Sequence, residues 1–158
     1  MTVEIATIRG VRNNYGTRSK GGGIGFIKTS GISNELSVDV TGDSLTVGGE
    51  AFAEVKIPAG SIITGAWVEV TEAFTLGGTS PTILVGTAGS EATNGAVVSE
   101  AQAEAVGTVD ITAALAGTWN EATLAAETSV GVVLGGTSPT SAATGSARIV
   151  VTYNKIAG

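Results

Sequence analysis

The residue types able to do chemistry at neutral pH are few here, and the absences come first. The 158 residues include no cysteine and no histidine. That removes thiolate nucleophiles, imidazole bases, disulfides, zinc sites with the usual ligands and haem ligation. Triads built on His cannot be assembled, and no G-x-S-x-G elbow occurs. The run GGGIG at 21–25 invites a phosphate-loop reading. However, no G-x-x-x-x-G-K-S/T is present, and no G-x-G-x-x-G joins a strand to a helix. A flexible or tightly packed stretch of backbone accounts for those glycines.

Carboxylates remain. Glu69 and Glu72 lie close together on one strand-like run, Glu50 and Glu54 on another. A glycosidase holds two carboxyls about 5–9 Å apart in a cleft that also grips sugar, usually on aromatic platforms. With two Trp and two Tyr in the chain that platform is thin, and solvated outer-face acids are the simpler account. Asp39 and Asp43 flank a turn and could ligate calcium, but no EF-hand spacing supports them. The sequence therefore assigns no catalytic residue, no cofactor and no metal ligand.

Charge is unevenly placed. Residues 1–28 carry Arg9, Arg12, Arg18, Lys20 and Lys28 against Glu4 alone, a net +4. Residues 29–158 carry Lys56, Arg148 and Lys155 against thirteen acids, a net −10. A basic leader precedes an acidic body. Five cations with Tyr15 and Phe26 could touch phosphates and bases. The acidic body would repel a duplex, though, and a pI near 4.5 is opposite to the nucleic-acid footprint, so no nucleic-acid partner is expected. A leader reaching across an acidic protein surface fits better. Opposite charge steers docking, while strand addition or apolar anchors hold it. MTVEIATIRG lacks the basic start and apolar stretch of a signal peptide, and no segment approaches the ~20 apolar residues that span a bilayer. A cell interior, or a particle assembled there, is expected, with no membrane partner.

The elements that must position these residues read as strands. Val, Ile and Thr favour pleated, half-buried surfaces, and 24 glycines argue against long helices. ELSVDV alternates Leu36, Val38 and Val40 with polar residues. AEVKIP aligns Ala53, Val55 and Ile57 before Pro58 and Gly60 stop it. SIITGAWVEVTEAFT predicts one long strand, or two joined by a bulge at Gly65. TILVGT, SVGVVL and SARIVVTYNKI follow, the last with Ala147, Ile149, Val151 and Tyr153 facing in. Residues 90–128 allow one or two short helices. About eight strands predict an all-β single domain, a β-sandwich or jelly-roll-like fold, over residues 31–158, with an extended Gly-rich arm over 1–30. LGGTSPT occurs twice, at 76–82 and 134–140. Each copy is expected to open a hairpin loop, both at the same end of the sandwich, with Gly-Gly supplying positive φ.

NNYGTRSKGGGIGFIKTSG at 13–31, followed by a Gly/Thr/Ala-rich body with VKIPAGSIITGAWVEVTEAF and then ILVGT, resembles small structural proteins of tailed bacteriophages. It is most similar in style to the head decoration, or cement, proteins of short-tailed phages. That resemblance implies a β-rich fold, no enzymatic activity, many copies on the capsid exterior, and contacts to the major capsid protein and to neighbouring copies. It also implies assembly in the host cytoplasm. On that reading Ile5, Ile8, Val11, Tyr15, Phe26 and Ile27 are apolar anchors in the arm, and Arg9, Arg12, Arg18 and Lys20 steer it. The arm could equally form the first strand of its own sheet. Two other functions stay open: a tail, baseplate or fibre component, and a carbohydrate-binding sandwich with Trp67 or Trp119 stacked on sugar.

Overall fold

Apolar and polar residues alternate along most of the chain, and the backbone follows that period of two. The computed structural model of the protein describes residues 4–7, 10–14, 25–29, 33–53, 56–91, 95–114, 123–140 and 142–155. Through them run β1 (Glu4–Thr7), β2 (Gly10–Asn14), β3 (Gly25–Thr29), β4 (Asn34–Thr41), β5 (Glu50–Phe52), β6 (Ser61–Glu72) and β7 (Gly77–Thr79). They continue with β8 (Thr82–Thr87), β9 (Ala96–Ser99), β10 (Gly107–Asp110), β11 (Val130–Gly135), β12 (Ser138–Thr140) and β13 (Ser146–Lys155). Seven strands make one antiparallel sheet in the order β1-β2-β3-β4-β13-β6-β10, and four make a second, β5-β11-β8-β9. The fold is an all-β sandwich.

Register brings the predicted core together. Val38, Ile149 and Val68 stand side by side across β4, β13 and β6, and Leu36, Val151 and Ala66 form the next inward row. From the other sheet, Ala51, Val132, Val85 and Ala96 line up across β5, β11, β8 and β9. These rows belong to one buried hydrophobic cluster. Each buried Val, Leu or Ile contributes about 1.5–3 kcal/mol, so a one-residue slip that turned a row outward would be prohibitive.

The bulge in β6 falls where a glycine was expected to allow it. Thr152 pairs with Gly65 but Tyr153 pairs with Ile63, which leaves Thr64 as the extra residue. The extra residue resets the alternation, so that Ile63 and Ala66 are both buried although three positions apart. The Thr64 hydroxyl donates to Thr152 Oγ1 at 3.1 Å, and Thr152 Oγ1 donates to the Gly65 carbonyl at 3.2 Å.

Other expectations are corrected. The strand beginning at Ser61 ends at Glu72, and Phe74 leaves it to donate its amide to the Ala103 carbonyl at 3.0 Å. The 53–57 run contributes bridges at Ala53 and Ile57, with Glu54 and Val55 outside the described residues. The short helix Glu100–Ala103 and a 3-10 turn at Thr112–Ala114 meet the helical expectation for 90–128. That stretch also holds β9 and β10, each four residues long, too short for period alone to reveal.

The two LGGTSPT copies are not hairpin loops. The first carries the chain from β6 in the large sheet to β8 in the small one, and the second returns it from β11 to β13. They pair with each other: Gly77 with Thr140, Gly78 with Pro139 and Thr79 with Ser138. Gly135 pairs with Thr82 in the same register. Identical peptides laid antiparallel make a local two-fold, so one sequence solves both crossings.

Candidate interaction surface

The segment with the candidate interface residues forms strands on the backbone of the large sheet. β1 pairs with β2, β2 with β3, and β3 with β4. Of the ten candidates, Ile5 lies on β1 opposite Arg12, and Val11 lies on β2 opposite Ala6. Arg12 stands opposite Lys28 on its other side. Phe26 takes its place between Asn14 and Ser37, and Ile27 between Asn13 and Leu36. Ile8, Arg9, Tyr15, Arg18 and Lys20 lie outside the described residues, as does the 30/31 boundary between arm and body. Among the described residues the sheet ends at this side on β1.

Among the described residues the opposite end of the same sheet is β10, which pairs with β6. Beside it opens a groove of about 380 Å³ lined by Gln102, Ala105, Val106, Val109 and Asp110. Val106 is 68% exposed, the most exposed large hydrophobic side chain among the described residues. Acids rim this end: Glu100 and Glu104 are exposed, and Asp110 Oδ1 accepts the Thr112 amide at 2.9 Å. That hydrogen bond holds the Asp110 carboxyl below its ordinary range, so it is charged near neutrality.

On the outer face of the sheet Arg148 stands between Asp39 and Glu69 in register. Its Nε donates to Asp39 Oδ1 at 2.8 Å, and that bond pushes the guanidinium further up. Glu69 and Glu72 are exposed, as solvated acids of an outer face should be. Trp67, one of the two proposed sugar platforms, is half-buried on β6, and Trp119 lies outside the described residues.

A carboxylate pair that the sequence does not disclose joins Glu50 of β5 to Glu91. Oε1 of each accepts the same Gly89 amide, at 3.0 and 3.1 Å. Glu91 is 5% exposed. Burial first, then the hydrogen bond to the Glu50 carboxyl, raise its pKa above the ordinary 4.5. Gly131 leaves room for the pair: a methyl group there would collide with Glu91 Oε1 and lie 2.7 Å from Glu50 Oε1. Sequence proximity suggested Glu54 as Glu50's partner, whereas the true partner is 41 residues away and no local signal marks it. Among the described residues no group of three or more Asp or Glu is placed to hold a metal ion. No helix there is long and apolar enough to cross a membrane.

Fold and surface together define a β-sandwich whose larger sheet is bounded, among the described residues, by β1 and β10, with acidic side chains on the β10 side. No family model matches the sequence, and no curated protein matches it. Among solved structures, a chain of the Cyanophage Pam1 capsid asymmetric unit is similar, with a TM-score of 0.53 and 24% identity over 90% of this chain and 93% of that one. The two chains share their fold.

Proposed function

We propose that the chain is a non-enzymatic structural protein of a virion, bound to the outer surface of a phage head, where it stabilises or decorates the capsid lattice. The observation that carries this reading is the fold common to nine-tenths of both this chain and a chain from a phage capsid asymmetric unit. The chemistry of the chain agrees with it. A capsid-binding sandwich needs no catalytic group, and a basic leader ahead of an acidic body suits docking on protein. The major capsid protein is the proposed partner. Single contacts can be weak there, because a lattice presents many at once and avidity multiplies them.

Cryo-electron microscopy of virions that carry this chain tests the reading. Density in many symmetry-related copies on the head exterior, kept in heads stripped of tails, is the expected result. Density confined to tail or baseplate would replace the head assignment with the tail one.

A further inference from the structure

We propose that the groove between the short helix Glu100–Ala103 and β10 receives a cationic segment of a partner protein, one that sets an apolar side chain in the groove beside a Lys or Arg. At about 380 Å³ the groove is near the lower bound of ligand clefts, about 300 Å³, and suits one or two side chains rather than a folded element. Its apolar lining is Ala101, Ala105, Val106 and Val109, and Val106 leaves 68% of its surface to water. The walls are fixed before anything binds. Gln102 Oε1 accepts both the amide and the hydroxyl of Ser99 at 2.9 Å. The Ala103 carbonyl accepts the Phe74 amide at 3.0 Å, and beyond β10 the Ile111 amide donates to the Ala66 carbonyl at 3.0 Å. A docking segment therefore has only itself to order, which lowers the cost of binding.

Charge states what the partner carries. Glu100 and Glu104 stand one helical turn apart, Asp110 borders the groove from β10, and all three are exposed. Like charges four residues apart repel each other, and a cation brought between them relieves that repulsion. The cations of the body lie elsewhere. Arg148 binds Asp39, Lys56 is 3.9 Å from Glu127, and Lys155 stands opposite Ser61, at the far end of β6 from the residues that β10 meets. Among the described residues no Lys or Arg lines the groove. Carboxylates repel phosphate, which disfavours a nucleic acid or an anionic bilayer as the occupant. A bare polyamine would meet the carboxylates but leave Val106 in water. A peptide with a cation next to an apolar side chain satisfies both. The inference rests on this groove and its rim, so its failure leaves the head assignment standing.

A positional-scanning library of fluorescein-labelled hexapeptides, probed with the full-length chain, tests this. Lys or Arg next to Val, Leu or Ile should be enriched among the binders, and the best peptide should bind less tightly at high salt. Three single variants then locate the contact. Val106→Lys and Glu104→Lys change exposed residues at the groove and should each weaken that peptide by about tenfold or more, since like charges then face each other. Glu35→Lys makes the same charge change on β4, with β13 and β6 between it and β10, and should leave the affinity within about twofold. Circular dichroism melts confirm that all three fold. A library with no binders, or one enriched in acidic or uncharged peptides, would overturn the proposal. So would groove variants that bind as the unaltered chain does. An equal loss in Glu35→Lys would do the same, because attraction to the overall negative charge would then account for the binding.

Discussion

Gly78 stands opposite Pro139 where the two identical heptapeptides pair. The relationship recurs with the roles exchanged. A methyl group on Gly78 would meet the Ser138 carbonyl oxygen and come within 2.8 Å of Pro139 Cα. One on Gly136 would meet the Ser80 carbonyl oxygen and come within 3.0 Å of Pro81 Cα. Both glycines have left-handed φ, 114° and 120°. Each copy thus lends its second glycine to make room for the Ser-Pro of the other.

Gly78→Ala and Gly136→Ala should each destabilise the protein by about 2–3 kcal/mol, since each adds backbone strain and a clash with main chain. Gly77→Ala should cost less than about 1 kcal/mol, because its φ is not positive and the nearest obstacle is the Thr140 side chain. Urea unfolding midpoints measure the three. Equal effects at Gly77 and Gly78 would remove the explanation.

Glu91 makes stability depend on pH in an unusual direction for a carboxyl. Its folded pKa lies above the unfolded one, so the folded state binds the proton more tightly. The stabilisation is complete below 4.5 and is lost as pH rises through the raised folded value. Glu91→Gln should therefore be more stable than the unaltered protein at pH 7, by about 1.4 kcal/mol for each tenfold difference in proton affinity. Its advantage should vanish near pH 4. Denaturant midpoints across that range give the answer, and a pH-independent difference would show that the dyad does not titrate as described.

Ser61 is fully buried on β6, and its Oγ has no hydrogen-bond partner among the described residues. A buried hydroxyl left unsatisfied costs about 1–3 kcal/mol. Ser61→Ala should leave the melting temperature unchanged or raise it, against the usual cost of a change in a packed core. A clear loss of stability would mean that the hydroxyl is satisfied in solution.

Arg148 and Asp39 form a short ion pair, but their side chains are 45% and 49% exposed. A double-mutant cycle with Arg148→Ala and Asp39→Ala should give a coupling of only about 0.2–1 kcal/mol, smaller still in high salt. Replacing Ile149, 1% exposed in the central inward row, by Ala should cost about 2–5 kcal/mol. Apolar packing, on this comparison, holds the sheet and the surface charges decorate it.

Where alternation runs for six residues or more it names the core. Leu36, Val38 and Val40, and Ala147, Ile149, Val151 and Tyr153, are all buried as their spacing requires. Alternation also puts Val150 on the outer face, yet it is only 4% exposed, in register between Ser37 and Trp67 of the neighbouring strands, which β13 alone does not disclose. The arm is less legible. Composition separates it from the body, while the backbone joins β3 to β4, because Gly and basic residues suppress the periodic signal without preventing main-chain hydrogen bonds.

By itself the sequence determined the class of fold, the inward rows, the bulge near Gly65 and the exclusion of thiol and imidazole chemistry. These follow from residue type and from a period of two, both local. Only the tertiary structure decided that Glu91 meets Glu50, that β10 pairs with β6 in the large sheet, and that the two LGGTSPT copies cross between sheets and pair with each other. Those are contacts between residues tens of positions apart. They are set by how the two sheets stack and which strands end them, and nothing in a short stretch of chain encodes that.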